Sequence, residues 1–173
     1  MAKIGLFYGS TTGNTLKVAE KIQQAFLPLP VGLHDVRTAI AEDLKKYDLL
    51  ILGTSTWHWG GLQDEWAAFE GYLDAEHLRG KKVALFGVGD QLHYAANFAD
   101  GLGILYDRIK PLKVEVIGAW PCDDYEFDAS AAIVDGKFVG LVLDEENQTP
   151  KTPGRIRAWV EQIKKELNGH PSS

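Results

Sequence analysis

Short apolar runs separated by segments of helical period restrict this chain more than any other feature. Lys3–Tyr8, Val31–Val36, Asp48–Gly53, Lys82–Gly87 and Val114–Gly118 each read as a strand. A half-exposed strand would alternate apolar with polar residues. Near-continuous runs such as Leu49–Leu52 and Val83–Phe86 therefore belong to a sheet covered on both faces. Between the runs the period becomes helical. Thr15–Phe26 carries Val18, Ile22 and Phe26 on one face, Asp64–Leu73 carries Trp66, Phe69 and Leu73, and Phe98–Lys110 carries Phe98, Leu102, Leu105 and Ile109. Gly101 and Gly103 weaken the last of these by about 1 kcal/mol each. An irregular acidic excursion follows Gly118, after which Phe138–Leu143 looks like the same strand position resumed. Thr152-Pro153 reads as an N-cap with proline at the first helical position, opening a helix with Ile156, Trp159, Ile163 and Leu167 on one face. This alternation predicts an α/β fold, a doubly wound, five-stranded parallel sheet with helices on both faces.

At 173 residues the chain is expected to form one domain, 1–173, with 169–173 as a short tail. Its 45% hydrophobic and 24% charged residues exclude a disordered chain. The apolar runs are far short of a membrane span, and Met1 leads into a strand without a basic-then-apolar leader, so a cytoplasmic, non-inserted protein is expected. A single cysteine, Cys122, can form neither an internal disulfide nor an iron–sulfur site, and is expected to be structural. His34, His58, His77, His93 and His170 are scattered without metal-ligand spacing, and no nucleophile–base pair stands out.

Charge is unevenly placed. The net charge is −6, and Ala119–Thr149 alone holds Asp123, Asp124, Glu126, Asp128, Asp135, Asp144, Glu145 and Glu146 against Lys137. This opposes nucleic-acid binding, which needs clustered Lys and Arg. It suits either an ordinary solvated surface or a partner with a basic face, since charge asymmetry steers encounters.

In a sheet of this kind ligands bind beyond the carboxyl ends of the strands. Three loops leave those ends with unusual composition. Gly9-Ser10-Thr11-Thr12-Gly13-Asn14-Thr15 joins a strand to a helix through small and hydroxylated residues, a pattern that lets N–H groups and hydroxyls surround an anion at a helix N-terminus. It has neither the lysine of a nucleoside-triphosphate loop nor Gly-x-Gly-x-x-Gly, and a neutral cradle suits a terminal phosphate without metal. An ordinary capped turn would look similar. Thr54-Ser55-Thr56-Trp57-His58-Trp59-Gly60-Gly61 puts two tryptophans on one connection, and Gly87–Tyr94 puts Asp90 and Tyr94 on another. Aromatic residues on adjacent loops can sandwich a flat ring, or they can simply cap the edge of the core.

Lys3–Thr15, Thr56-Trp57 with Gly61-Leu62-Gln63, Gly87–Asn97 and Phe138–Gln148 together resemble a long-chain flavodoxin, in order from about Lys3 to Leu167. The resemblance implies the strand order 2-1-3-4-5, for which that family is the type case, with the last strand split by the insertion Ala119–Lys137. It also implies one non-covalent FMN. Ser10, Thr11, Thr12, Gly13, Asn14 and Thr15 would hold the phosphate, and Trp57 and Tyr94 would flank the isoalloxazine ring. Thr56 and Glu146 would lie near the ribityl chain and Asp90 and Asn97 near the polar edge of the ring, with His58, Trp59, Gly60 and Gly89 also among the cofactor-binding residues. The chain departs from the family pattern at His58-Trp59, where a smaller, non-aromatic pair is usual, and at Asn14, Val88 and Glu146, where Lys, Thr and Asp are common.

The implied function is that of a low-potential one-electron carrier, cycling FMN between semiquinone and hydroquinone without substrate turnover of its own. An acidic setting favours a low potential. One carboxylate ~8 Å from the ring costs the anionic reduced form about 2 kcal/mol at an effective dielectric near ~20. That is ~90 mV, at ~59 mV per tenfold change in equilibrium. The expected state is a monomer that docks on redox proteins with basic faces. Ferredoxin–NADP reductase, nitrogenase reductase, photosystem I and pyruvate oxidoreductase are the family possibilities. An FMN-dependent NAD(P)H:quinone oxidoreductase is the alternative on the same fold, and a flavin-free interaction module is a third.

Overall fold

A computed structural model describes residues 2–9, 13–56, 66 and 69–169. Among the described residues six parallel strands form the main sheet; five of them, β1 (Ile4–Tyr8), β2 (Val31–Asp35), β3 (Leu49–Ser55), β4 (Lys82–Val88) and β5 (Glu115–Ile117), run in the order β2-β1-β3-β4-β5, and the sixth pairs with β4. The helices are α1 (Asn14–Phe26), α2 (Ala41–Leu44), α3 (Ala75–Leu78), α4 (Asp100–Ile109) and α5 (Thr152–Leu167), with Trp66 and Phe69 also in helical conformation. Apolar residues on both sides of each central strand divide the core in two. Leu50 and Leu52 of β3 face a cluster with Trp66, Phe69, Phe98, Leu102 and Leu105, while Leu49 and Ile51 face Val18, Ile22, Phe26, Ile156 and Trp159. Two buried tryptophans satisfy their N–H groups on backbone carbonyls of the sheet and its edge, Trp66 on Gly53 of β3 at 2.7 Å and Trp159 on Gly118 just after β5 at 2.8 Å. No helix among the described residues is long and apolar enough to cross a membrane.

The fifth position is split as expected. β5 pairs with Lys82–Ala84 of β4, and Leu141–Leu143 pairs with Phe86–Val88 further along the same strand. Between them Gly140 passes so close to β4 that an added Cβ would lie 2.0 Å from the Leu85 carbonyl oxygen, so the re-entry requires glycine. The excursion itself is more regular than the sequence suggests. β6 (Trp120–Pro121), β7 (Ile133–Val134) and β8 (Lys137–Phe138) form a small antiparallel sheet in the order β6-β8-β7, and Leu141–Leu143 is β9. Phe138 therefore belongs to this side sheet, not to the resumed strand.

Other boundaries shift for local reasons. Ala99 is in the left-handed region at φ 56°, so α4 begins at Asp100, two residues after the expected start, and Lys110 opens a 3-10 turn. The segment read as a helix to Leu73 passes into a 3-10 turn at Glu70–Tyr72, with Leu73 buried after it; its first residues lie outside the described residues. Thr152 is the first residue of α5 and not its N-cap; its hydroxyl donates to Glu145 Oε1 at 2.5 Å. Leu167 is only half-buried. Short α2 and α3 have too few residues to show a period, and α3 is marked only by Asp74, which accepts the His77 N–H at 3.1 Å.

Candidate functional site

Parallel pairing brings the carboxyl ends of the strands into register. Ser55 of β3 lies opposite Val88 of β4, which in turn lies opposite Leu143 of β9. Gly9 continues the ladder past β1 by donating to the Gly53 carbonyl at 3.2 Å. Above this row is a hollow of about 210 Å³ lined by Asn14, Ser55, Thr56, Val88, Gly89, Asp90, Tyr94, Glu145 and Glu146. Six of these, Asn14, Thr56, Gly89, Asp90, Tyr94 and Glu146, are residues that the sequence marks for cofactor binding.

Each wall has a local cause. α1 starts at the hollow because Gly13 precedes it at φ 89° and ψ −13°; an added Cβ would meet nothing within 4 Å, so the requirement is conformational. Thr15, the second residue of α1, is buried, with only 1% of its surface exposed. The Thr56 hydroxyl oxygen accepts the Gly101 N–H at 3.0 Å, capping α4 from outside the helix and fixing the end of β3. Asp90 accepts the N–H groups of Leu92 and His93 at 3.1 and 2.9 Å, closing a turn that leaves Tyr94 exposed beside the hollow. The His93 ring nitrogen Nδ1 lies 2.7 Å from Asp90 Oδ2, and the Asn147 amide donates to Asp90 Oδ1 at 2.8 Å. Burial disfavours ionising Asp90, but the donors from His93, Asn147 and Leu92 outweigh it and hold the carboxyl below the usual aspartate range. Asn97 does not line the hollow; its amide donates to Asp100 at 3.4 Å.

Ser10, Thr11, Thr12, Trp57, His58, Trp59 and Gly60 lie outside the described residues. Among those described, the hollow is walled by three carboxylates (Asp90, Glu145, Glu146) and no Lys or Arg. It is therefore electronegative, with one exposed aromatic ring on its flank. An aromatic flank, a helix N-terminus and an acidic wall suit a flat, uncharged ring on a phosphate-bearing tail, and disfavour further negative charge on that ring.

Several participants were not singled out from sequence. Glu145 lines the hollow beside Glu146, and Asp144, counted there among surface acids, is wholly buried. The available signal for Asp144 was its place directly after an apolar strand with Glu-Glu-Asn following, the setting of an Asx turn. Asp124, another of the counted acids, is engaged by Lys151 Nζ at 3.0 Å and by Arg155 at 3.0 Å. Arg155 itself is buried, donates to Gln148 Oε1 at 2.8 Å and stacks 4.1 Å from the Tyr125 ring centre. The Tyr125 hydroxyl donates to the Val142 carbonyl at 2.6 Å, and burial pushes its pKa up to about 12. These contacts pin the excursion to α5 and β9. Cys122 takes a structural contact there, its thiol 3.4 Å from the Gly136 carbonyl.

Comparison with known proteins agrees with this geometry. The flavodoxin family model matches residues 6–159. A flavodoxin of Synechococcus elongatus is 48% identical over 168 residues, covering 96% of this chain and 99% of the relative. Flavodoxin 1 of Escherichia coli is 43% identical over 169 residues, covering 97% and 96%. A crystal structure of Fusobacterium nucleatum flavodoxin bound to flavin mononucleotide superposes with a TM-score of 0.90 at 33% identity, covering 96% of this chain and 99% of that one. With a split fifth strand, a hollow at the strand ends and matches over nearly its whole length, the chain belongs to the flavodoxin family, in its long-chain class.

Proposed function

We propose that the hollow holds the isoalloxazine end of one non-covalently bound FMN, and that the chain works as a low-potential electron carrier. The observation that carries this reading is the meeting of Asn14, Thr56, Gly89, Asp90, Tyr94 and Glu146 around one electronegative hollow at the strand ends. Flavodoxins are electron-transfer flavoproteins, not substrate-converting enzymes, and the relatives matched over nearly the full chain bear that name. The quinone-reductase alternative is not favoured.

FMN bound there would supply the redox chemistry, taking up electrons one at a time. The residues supply binding and electrostatics. Gly13, Asn14 and Thr15, with Ser10, Thr11 and Thr12, would hold the phosphate at the α1 N-terminus. Tyr94 would cover one face of the ring and Trp57 the other, with His58, Trp59 and Gly60 continuing that loop. Thr56 and Glu146 would border the ribityl chain, and Gly89 and Asp90 the polar edge. Asp90, Glu145 and Glu146 would oppose added negative charge and so keep the second-electron potential low. The partners are redox proteins, and the exposed acids favour basic docking faces of the kind expected on a ferredoxin–NADP reductase, nitrogenase reductase, photosystem I or a pyruvate oxidoreductase. Such encounters use small interfaces, which suits a monomer.

Stepwise photoreduction followed by absorbance tests the proposal. The expected result is one flavin per chain, reduced in two resolved one-electron stages. A colourless protein that takes up no added FMN, or turnover of quinone with NAD(P)H alone, would overturn it.

A further inference from the structure

Among the groups at the site, the one with the least expected surroundings is Asp144. It directly follows β9, is 0% exposed, and accepts five hydrogen bonds. Oδ1 takes the N–H groups of Glu146 at 3.0 Å and Asn147 at 2.9 Å. Oδ2 takes the Gln91 N–H at 3.0 Å, the Gln91 side-chain amide at 2.8 Å and the Asn147 side-chain amide at 2.8 Å. Every one of these donors is a neutral amide. A carboxylate taken out of water costs several kcal/mol, and here the compensation comes from oriented dipoles and not from a cation. Only an acceptor-only group satisfies all five. An asparagine in either orientation would turn its own N–H₂ toward two or three donors.

These bonds join three segments. Gln91 directly follows Asp90 in the loop whose Asp90 and Tyr94 line the hollow, and Glu145 and Glu146, directly after Asp144, line it from the neighbouring segment. Asn147 joins the two segments, its side-chain amide donating to both Asp144 and Asp90. Gln91 Oε1, on the far side of the same side chain, accepts the Glu126 N–H at 2.6 Å and so ties in the excursion. The carboxylate thus sets the spacing of the two segments that line the hollow and adds a buried negative charge where they meet.

We propose that Asp144 is a positioning residue for the flavin, fixing the two segments that line the hollow relative to each other and biasing the bound ring against its reduced, anionic form. This rests on the reading of the hollow as the FMN site. It differs from the part played by the exposed acids, because a buried charge is screened far less by salt.

The test is titration of the apoprotein of parent, Asp144→Asn and Gln91→Met with FMN and with riboflavin, in oxidised and reduced forms. Asp144→Asn is expected to weaken oxidised FMN and oxidised riboflavin by the same factor, ~tenfold or more, as an effect confined to the ring requires. It should also improve the ratio of reduced to oxidised affinity about fivefold, equivalent, with the first-electron potential unchanged, to a second-electron potential raised by ~40 mV at ~59 mV per tenfold. That shift should persist at high salt. Gln91→Met removes the side-chain bonds to Asp144 and to the Glu126 N–H and keeps the charge, so ring affinity should fall while the ratio stays at the parent value. If Asp144→Asn does not fold, Gln91→Met decides the spacing claim alone, and unchanged riboflavin affinity would overturn it. Loss of FMN but not riboflavin binding, or an Asp144→Asn ratio equal to the parent's, would overturn the proposal. A parent that takes up no flavin would instead overturn the FMN reading itself.

Discussion

Replacing Tyr94 with alanine removes the one described aromatic ring beside the hollow, and the structure sets the size of the effect. Tyr94 is 44% exposed. A tyrosine offers ~200 Å² to burial, so ~90 Å² is open and a flat ring laid on one face would cover about half of it, ~45 Å². The ligand loses a similar area, and ~90 Å² in total at ~25 cal/mol per Å² gives about 2 kcal/mol. Stacking adds ~0.5–1.5 kcal/mol, while the alanine keeps some contact, so the net loss is about 2–3 kcal/mol. That corresponds to FMN binding ~30–150-fold weaker, at ~1.4 kcal/mol per tenfold. Tyr94→Phe keeps the area and should stay within about threefold of the parent. Titration by quenching of flavin fluorescence measures all three proteins. If Tyr94→Ala holds FMN within about threefold of the parent, Tyr94 does not cover the ring, and the hollow is not the ring site.

Three further outcomes are expected. Thr12→Ala should weaken FMN by ~1.5–3 kcal/mol through a lost donor to a charged phosphate, and leave riboflavin nearly unaffected; equal losses in the two titrations would move the phosphate elsewhere. Reversing Asp123, Glu126 and Asp128 to lysine, with Asp124 left to its partners Lys151 and Arg155, should slow electron delivery to a basic partner at low salt and much less at high salt. Rates independent of both charge and salt would make this stretch a solvated surface only. Because the folded-state pKa of Asp90 is depressed, its contribution is full above the unfolded value of about 3.9 and is lost as pH falls through the folded one. Apoprotein denaturation from about pH 7 to about pH 3 should therefore show a smaller acid loss in Asp90→Asn than in the parent, and parallel curves would count against the turn described for Asp90.

The strands were legible because burial on both faces leaves little choice of residue. Leu49–Leu52 and Val83–Phe86 have to be apolar throughout, and they lie in β3 and β4. The start of α4 was not legible, since Phe98 fits the helical period but enters the core from extended backbone ahead of the left-handed Ala99. Nor was the side sheet, whose two-residue strands are too short for any alternation to register. At the site, loops of unusual composition stood out because nothing in core packing asks for Asp90 or Tyr94. Asp144 was hidden by the opposite problem: an acid is counted as surface by default, and its burial depends on amide donors from Gln91, 53 positions earlier. Arg155 was hidden likewise, as its partner Asp124 lies 31 positions away.

The split fifth strand has a consequence for how this protein can vary. β5 ends opposite Ala84 and β9 begins opposite Phe86, so the chain leaves the sheet and returns with only Leu85 between exit and entry. An excursion with adjoining ends can lengthen, shorten or change its charge without moving any rung of the main sheet. What it cannot do freely is let go of the neighbouring loop. The N–H groups of Asp128 and Ala129 both donate to the Ala95 carbonyl, and that of Phe98 to the Ala129 carbonyl. The excursion therefore acts as a brace from outside the fold. Its outer surface is open to change, while its inner edge braces the 91–98 loop, so the excursion can diverge while this side of the hollow stays in place.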